Sequence, residues 1–247
     1  MTTLLAVEDL SKRYPGFALE GVSFSLEAGH IMGLIGTNGA GKSTTIKAML
    51  NLVCPDSGTI RLMGRDFRQE EATCKQELGV VLGGVYAYPS KRLAEITAVT
   101  RRFYPAWDQA AYARCLARFG LDERKQVSQL SNGMKVKYQL ALALSHRARL
   151  LILDEPTSAL APVARDDLLE LFHQLVREGE RAILFSTHIT SDLEKCADQL
   201  TYLKKGRVLA SGEMHAVLQR FQTLRRPGET GPLTLEEIMV RTEREVS

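Results

Sequence analysis

Apolar residues recur along this chain in two rhythms, and the order in which the rhythms alternate sets the first expectation of its fold. Leu4 to Leu10 carries an apolar edge, and Gly21-Val22-Ser23-Phe24-Ser25-Leu26 alternates with period two, the spacing of a strand with one buried face. Between them, Ser11-Lys12-Arg13-Tyr14-Pro15-Gly16 reads as a turn by composition. Unbroken apolar runs of strand length stand at Ile31-Met32-Gly33-Leu34-Ile35, Gly79-Val80-Val81-Leu82, Leu150-Leu151-Ile152-Leu153 and Ala182 to Phe185. Thr59-Ile60-Arg61-Leu62-Met63 predicts a further strand after the turn Pro55-Asp56-Ser57-Gly58.

Helical spacing takes over between these runs. It is expected at Thr45 to Leu52 and at Val163 to Arg177, where Leu168, Leu171, Phe172 and Leu175 share one face. Residues from about 90 to 147 read as almost wholly helical, with Leu116, Phe119 and Leu121 inward and Arg114, Arg118 and Lys125 outward. Ser128-Gln129-Leu130-Ser131-Asn132-Gly133 breaks that block before a helix over Met134 to His146. Beyond Arg225 the chain is polar and interrupted by Pro227, Gly228, Gly231 and Pro232, with one short helix expected at Leu235 to Arg241. Strand–helix–strand alternation predicts an α/β fold with a mainly parallel sheet and a helical insertion.

Composition narrows the class without naming a chemistry. The 247 residues are 45% hydrophobic, which suits one large globular unit and not a disordered chain. The 32 basic and 29 acidic side chains leave a net charge of only +3, so no nucleic acid partner is expected from charge. No apolar run reaches the roughly 20 residues of a membrane span, and no secretory signal is expected at Met1-Thr2-Thr3-Leu4. Cys54, Cys74, Cys115 and Cys196 form no C-x-x-C pair and read as reduced cytosolic thiols.

The chemistry enters at Gly36-Thr37-Asn38-Gly39-Ala40-Gly41-Lys42-Ser43-Thr44, between a predicted strand and a predicted helix. The glycines allow the backbone to curl so that several N–H groups face one anion, and the following helix adds its positive end. Lys42 supplies a cation for the outer phosphates, and the Ser43 hydroxyl is a ligand for Mg²⁺. This arrangement predicts a bound nucleoside triphosphate.

Three later stretches fit the same ligand. Asp154-Glu155 follows an apolar strand, at the end where open α/β sheets place ligands; Asp154 suits the Mg²⁺ shell and Glu155 a proton from an attacking water. His188, in Ser186-Thr187-His188, ends another strand and offers a donor to a γ-phosphate. Leu130-Ser131-Asn132-Gly133-Met134 offers a cap and a helix N-terminus, a second anion site whose simplest use is to meet the phosphate of another molecule.

Taken in order and spacing, these four stretches resemble the ATP-binding subunits of ABC transporters, over residues 4 to 215. The resemblance implies a P-loop NTPase core with an N-terminal antiparallel β subdomain: residues 1–85 and 148–215 form the ATP-binding core, 86–147 an inserted helical subdomain, and 216–247 a C-terminal tail. It implies ATP with Mg²⁺, and a head-to-tail pair of subunits in which the phosphate loop of one faces Ser131, Asn132 and Gly133 of the other. It assigns Tyr14 to adenine stacking, Glu155 to the general base and His188 to sensing the γ-phosphate. The implied partners are a separate integral membrane permease and a second ATP-binding subunit, placing the chain in the cytoplasm at the inner membrane face. Phe103-Tyr104-Pro105-Ala106-Trp107-Asp108 and Thr234-Leu235-Glu236-Glu237-Ile238-Met239 are similar to stretches of bacterial exporter ATPases, including those of antibiotic resistance.

The chain departs from the family pattern in three motifs. Asn132, Gly133 and Met134 stand where Gly-Gly-Gln is usual, Gly83 where a glutamine contacts metal and water, and Ala161 where an aspartate joins the two sites. These bear on turnover and coupling more than on nucleotide binding, so an ATP-switched, slowly hydrolysing regulator is the alternative expectation. An ABC protein of ribosomes or DNA fits poorly, for the chain has neither a second cassette nor a long coiled coil.

Overall fold

A computed structural model of the protein describes residues 2–82 and 88–244. In chain order the strands and helices are β1 (Thr3–Tyr14), β2 (Phe17–Glu27), β3 (Ile31–Ile35), α1 (Lys42–Met49), β4 (Ser57–Leu62), β5 (Arg65–Asp66), α2 (Glu71–Gln76) and β6 (Leu78–Leu82). Then come α3 (Leu93–Thr100), α4 (Gln109–Phe119), α5 (Asn132–Ser145), β7 (Leu150–Asp154), α6 (Pro162–Val176), β8 (Ala182–Ser186), α7 (Thr190–Cys196), β9 (Gln199–Lys204), β10 (Arg207–Glu213), α8 (Met214–Arg220) and α9 (Leu235–Arg244).

The strands form two sheets. One is antiparallel, in the order β2-β1-β4-β5; the other has the order β10-β9-β3-β8-β7-β6, parallel except where β10 runs against β9. A core of side chains such as Leu10, Leu26, Met32, Ile46 and Leu184 joins the antiparallel sheet to one face of the parallel one. On the opposite face Leu140, Leu168, Phe172, Phe185 and Leu193 form the second core. Burial on both faces explains why β3, β7 and β8 read as continuous apolar runs and not as alternating ones.

Between β6 and β7 the helices α3, α4 and α5 enclose a smaller cluster of Leu93, Tyr112, Leu121, Val127, Leu130 and Tyr138. Its polar centre is satisfied: Thr97 Oγ1 is 2.8 Å from both the Tyr112 and Tyr138 hydroxyls, and Tyr138 donates to the Leu93 carbonyl. The stretch from Phe103 to Asp108 stitches these helices to the rest. The Tyr104 ring stacks on buried His146 at 3.8 Å, His146 Nδ1 donates to the Gln76 carbonyl, and Asp108 caps α4 through the Ala111 N–H. Burial lowers the His146 pKa.

Several boundaries differ from the sequence pattern. Ser11 to Tyr14 is not turn but the end of β1, because Lys12, Arg13 and Tyr14 pair with Leu19, Ala18 and Phe17; the turn is Pro15-Gly16 alone. Asp56 secures that edge, accepting from Lys12 Nζ at 2.7 Å and from the Arg13 N–H at 2.8 Å. The first helix starts at Lys42 and ends at Met49, three residues earlier at each end than the pattern suggests. Strands β9 and β10, unmarked by a strong apolar rhythm, complete the sheet. The C-terminal stretch carries the expected helix, which packs on the rest of the chain: Leu235 and Ile238 of α9 are buried, the Leu235 N–H donates to Glu194 of α7, and Lys204 Nζ donates to the Thr242 carbonyl.

Candidate nucleotide site

The phosphate loop leaves the end of β3 and closes onto α1. Gly36 has φ 152°, and a Cβ there would lie 2.3 Å from the Leu203 carbonyl oxygen, so only glycine lets the loop pass β9. Gly41, at φ 112°, is the N-cap of α1, and its carbonyl receives both the N–H and the hydroxyl of Thr45 at 2.9 Å. The side-chain cap that most helices use is thus replaced by open backbone at the helix start.

A cavity of about 600 Å³ lies over this loop, lined by Gly16, Phe17, Thr37 to Thr44 and Glu155. Within it the sequence-selected Thr37, Asn38, Gly39, Ala40, Gly41, Lys42, Ser43 and Thr44 come together; Gly36 supports the loop from beneath. Lys42 is buried, and its ammonium bridges the Gly36 carbonyl at 2.7 Å and the Thr37 carbonyl at 3.3 Å. Burial lowers the Lys42 pKa, while Glu155 and then Asp154 pull it back up. That opposing pull places both carboxylates within electrostatic reach of the lysine.

The two carboxylates sit at the end of β7, beside β8 in parallel register, with Asp154 opposite Ser186. Asp154 Oδ1 accepts from the Ser186 hydroxyl at 2.5 Å. Glu155 turns the chain through φ 50°, a left-handed conformation that costs a non-glycine residue about 1–3 kcal/mol. Its N–H is held by the Ser186 carbonyl at 3.1 Å and the Ser186 hydroxyl at 3.0 Å, while its carboxylate meets His188 Nδ1 at 2.8 Å. The two adjacent carboxylates thus have different partners, Ser186 for Asp154 and His188 for Glu155.

The other candidates lie outside this cavity. Tyr14 is 41% exposed at the end of β1, with Lys12 Nζ 5.7 Å from its ring centre; the aromatic lining the cavity is Phe17, its partner across the hairpin. Sequence reasoning missed Phe17 because it took the hairpin for a longer turn. Ser131 caps α5 through the Met134 N–H, and Gly133 packs beside Leu160, so Ser131, Asn132 and Gly133 do not line the phosphate cavity of their own chain. Met134 turns its side chain into the helical cluster, an apolar contact that a glutamine would not make. Ala161 is the N-cap of α6 and provides no side-chain cap. Gly83 lies outside the described residues.

The relatives decide what such a site belongs to. The ABC transporter family profile matches residues 19–158, more than half of the chain. The chain belongs to the ABC transporter family. It is the ATP-binding, ATP-hydrolysing subunit of a transporter.

Among similar proteins is the Nod factor export ATP-binding protein I of Burkholderia lata, 37% identical over 206 residues, covering 81% of this chain and 67% of that protein. The linearmycin resistance ATP-binding protein LnrL of Bacillus subtilis is 34% identical over 215 residues, covering 85% and 69%. A solved structure of an ATP-binding subunit of an ABC transporter superposes with a TM-score of 0.84 at 32% identity, covering 97% of this chain and 99% of that one. The ATPase subunit has no helix among its described residues long and apolar enough to cross a membrane.

Proposed function

We propose that this ATPase subunit drives export through a separate membrane permease, working as one of a pair of ATP-binding subunits at the inner face of the membrane. The observation that carries the reading is that Glu155 lines the phosphate-loop cavity with Lys42, while His188 bonds to the Glu155 carboxylate and Asp154 acts on the same lysine. The names of the similar proteins, for Nod factor export and for linearmycin resistance, support the direction.

The residues divide the work. The loop amides and Lys42 hold the triphosphate, with Lys42 leaving the Gly36 and Thr37 carbonyls for phosphate oxygens. Phe17 or Tyr14 takes the adenine ring. The exposed Ser43 hydroxyl and the Asp154 carboxylate are hard oxygen donors, few in number, a set that fits Mg²⁺ arriving with its nucleotide and waters. Held by Ser43 and Asp154, Mg²⁺ would supply charge neutralisation for the phosphates. Glu155 accepts a proton from the attacking water, and His188, tied to Glu155, donates toward the γ-phosphate.

The pairing follows from Ser131, Asn132 and Gly133, which make a helix N-terminus suited to an anion yet stand apart from the chain's own cavity. A second subunit brings that terminus to the phosphate. The experiment is co-expression of the tagged chain with the membrane proteins of neighbouring reading frames. The expected result is recovery of a multi-span protein from detergent extract and faster ATP hydrolysis with it in lipid vesicles than without. Recovery of the chain alone, with hydrolysis indifferent to every such protein, contradicts the proposal.

A further inference from the structure

Ser186 is a fully buried hydroxyl in a strand otherwise made of apolar and alanine side chains, Ala182-Ile183-Leu184-Phe185. Its neighbours account for it. The hydroxyl donates to Asp154 Oδ1 at 2.5 Å and accepts from the Glu155 N–H at 3.0 Å. The same residue stands opposite Asp154 on β7 and opposite Leu34 on β3, two residues ahead of the phosphate loop. Two residues further along its own chain is His188, which meets the Glu155 carboxylate.

We infer that Ser186 is a positioning residue for the hydrolytic centre, orienting the metal-facing Asp154 carboxylate and the backbone that carries Glu155. A hydroxyl is the group this place requires, because it must donate to an anion and accept from an amide at the same time. With Oδ1 engaged by Ser186, Asp154 has Oδ2 for the metal and its waters. The carboxylate therefore reaches the metal already oriented, as partners behind metal ligands generally ensure. The bond to the Glu155 N–H holds the left-handed turn at φ 50° that separates the base from Asp154. One side chain thus sets the divergence of the two acids.

The inference rests on the assignment of Asp154 to the metal and Glu155 to the water, and it has its own test. In Ser186→Ala the Glu155 N–H keeps the Ser186 carbonyl at 3.1 Å, so no buried amide is orphaned and the fold is expected to survive. Three quantities are measured: ATP affinity without metal, Mn²⁺ affinity of the ATP-loaded protein by electron paramagnetic resonance, and kcat with Mg²⁺. Loss of a group behind a metal ligand typically costs about 10- to 100-fold. The expected result is metal-free ATP affinity unchanged within about twofold, Mn²⁺ affinity lowered about tenfold and kcat lowered about 10- to 100-fold. Ser186→Thr, which keeps the hydroxyl, is expected to restore both losses.

Mn²⁺ affinity and kcat both within about twofold of the parent would overturn the inference, since the loss expected of such a group is larger. Equal losses in Ser186→Ala and a well-folded Ser186→Thr would overturn it too, marking a role in packing only. Should the alanine variant fail to fold, Ser186→Cys, a much weaker donor of similar size, is read in the same way. If the parent protein itself releases no phosphate from ATP, the hydrolytic reading fails, while the Mn²⁺ titration still decides the role of Ser186.

Discussion

His188 Nδ1 stands 2.8 Å from a Glu155 carboxylate oxygen, across the ends of the neighbouring parallel strands β7 and β8. A ring that donates to Glu155 through Nδ1 has Nε2 left for a phosphate oxygen, and the doubly protonated ring makes both bonds. In the proposed mechanism the pair links the group that receives the water's proton to the group that reads the γ-phosphate. His188→Ala is expected to lower kcat by about 10²–10⁴ while leaving ATP affinity within about tenfold. Rapid-mix hydrolysis beside equilibrium titration measures both. A variant that loses affinity and keeps its rate would assign His188 to binding alone.

The adenine platform is a choice between two rings of one hairpin. Phe17 lines the cavity and Tyr14, its cross-strand partner, does not. Stacking of a base on an aromatic ring is worth about 1–3 kcal/mol, so Phe17→Ala is expected to weaken ATP binding by about 5- to 150-fold. Tyr14→Ala is expected to weaken it less. The reverse order, in titrations with a fluorescent ATP analogue, would return the adenine to Tyr14.

The C-terminal stretch makes a pH prediction. Arg241 gives the Glu229 carboxylate two bonds, at 2.6 and 2.8 Å, and the Arg226 N–H adds a third at 2.9 Å. These hold the Glu229 pKa down to about 2 from its ordinary 4.5. A depressed carboxylate stabilises the fold above its unfolded pKa and loses that contribution as pH falls through the folded one. Glu229→Gln is therefore expected to be less stable than the parent at pH 7, with the difference shrinking from about pH 4.5 toward pH 2. Urea midpoints across that range measure it; a difference independent of pH would show that the ion pair does not carry the contribution.

Burial of His146 has the same sign by a different cause. Its pKa lies below the ordinary 6.5 because the ring is enclosed between Tyr104 and α2, so the unfolded chain binds a proton more readily. Stability is expected to fall as pH drops below 6.5, and His146→Gln is expected to flatten that limb. Thermal midpoints at pH 7.5 and 5.5 provide the comparison. An equal drop in both proteins would place the acid sensitivity elsewhere.

What could be read from the sequence was local. The phosphate loop, Asp154-Glu155 and Ser186-Thr187-His188 each carry their chemistry in adjacent residues flanked by apolar strands, so their place at strand ends was legible before any contact was known. The parts that escaped depend on partners distant in the chain. Lys12 and Arg13 read as turn residues until Asp56 and β2 make them strand. The polar Thr201, Lys204, Arg207 and Ser211 hide β9 and β10, which owe their form to pairing with β3 and with each other. Phe17 and Ser186 have ordinary neighbours in sequence; only the hairpin register and the β7–β8 register reveal what they touch. Helix α9 was visible as a short helix, but its docking against α7 through Glu194 was not.

In the proposed mechanism Glu155 takes the proton of the water that cleaves ATP held by the Lys42 loop. Glu155→Gln keeps the size and the backbone hydrogen bonds but not the base, and loss of a general base costs about 10²–10⁴ in rate. The direct measurement is single-turnover phosphate release from radiolabelled ATP by parent and variant, with bound ATP counted in the same samples. The expected result is full ATP occupancy in both, phosphate release slowed by that factor in Glu155→Gln, and paired subunits accumulating on size exclusion. Full occupancy with phosphate released at the parent's rate would contradict it.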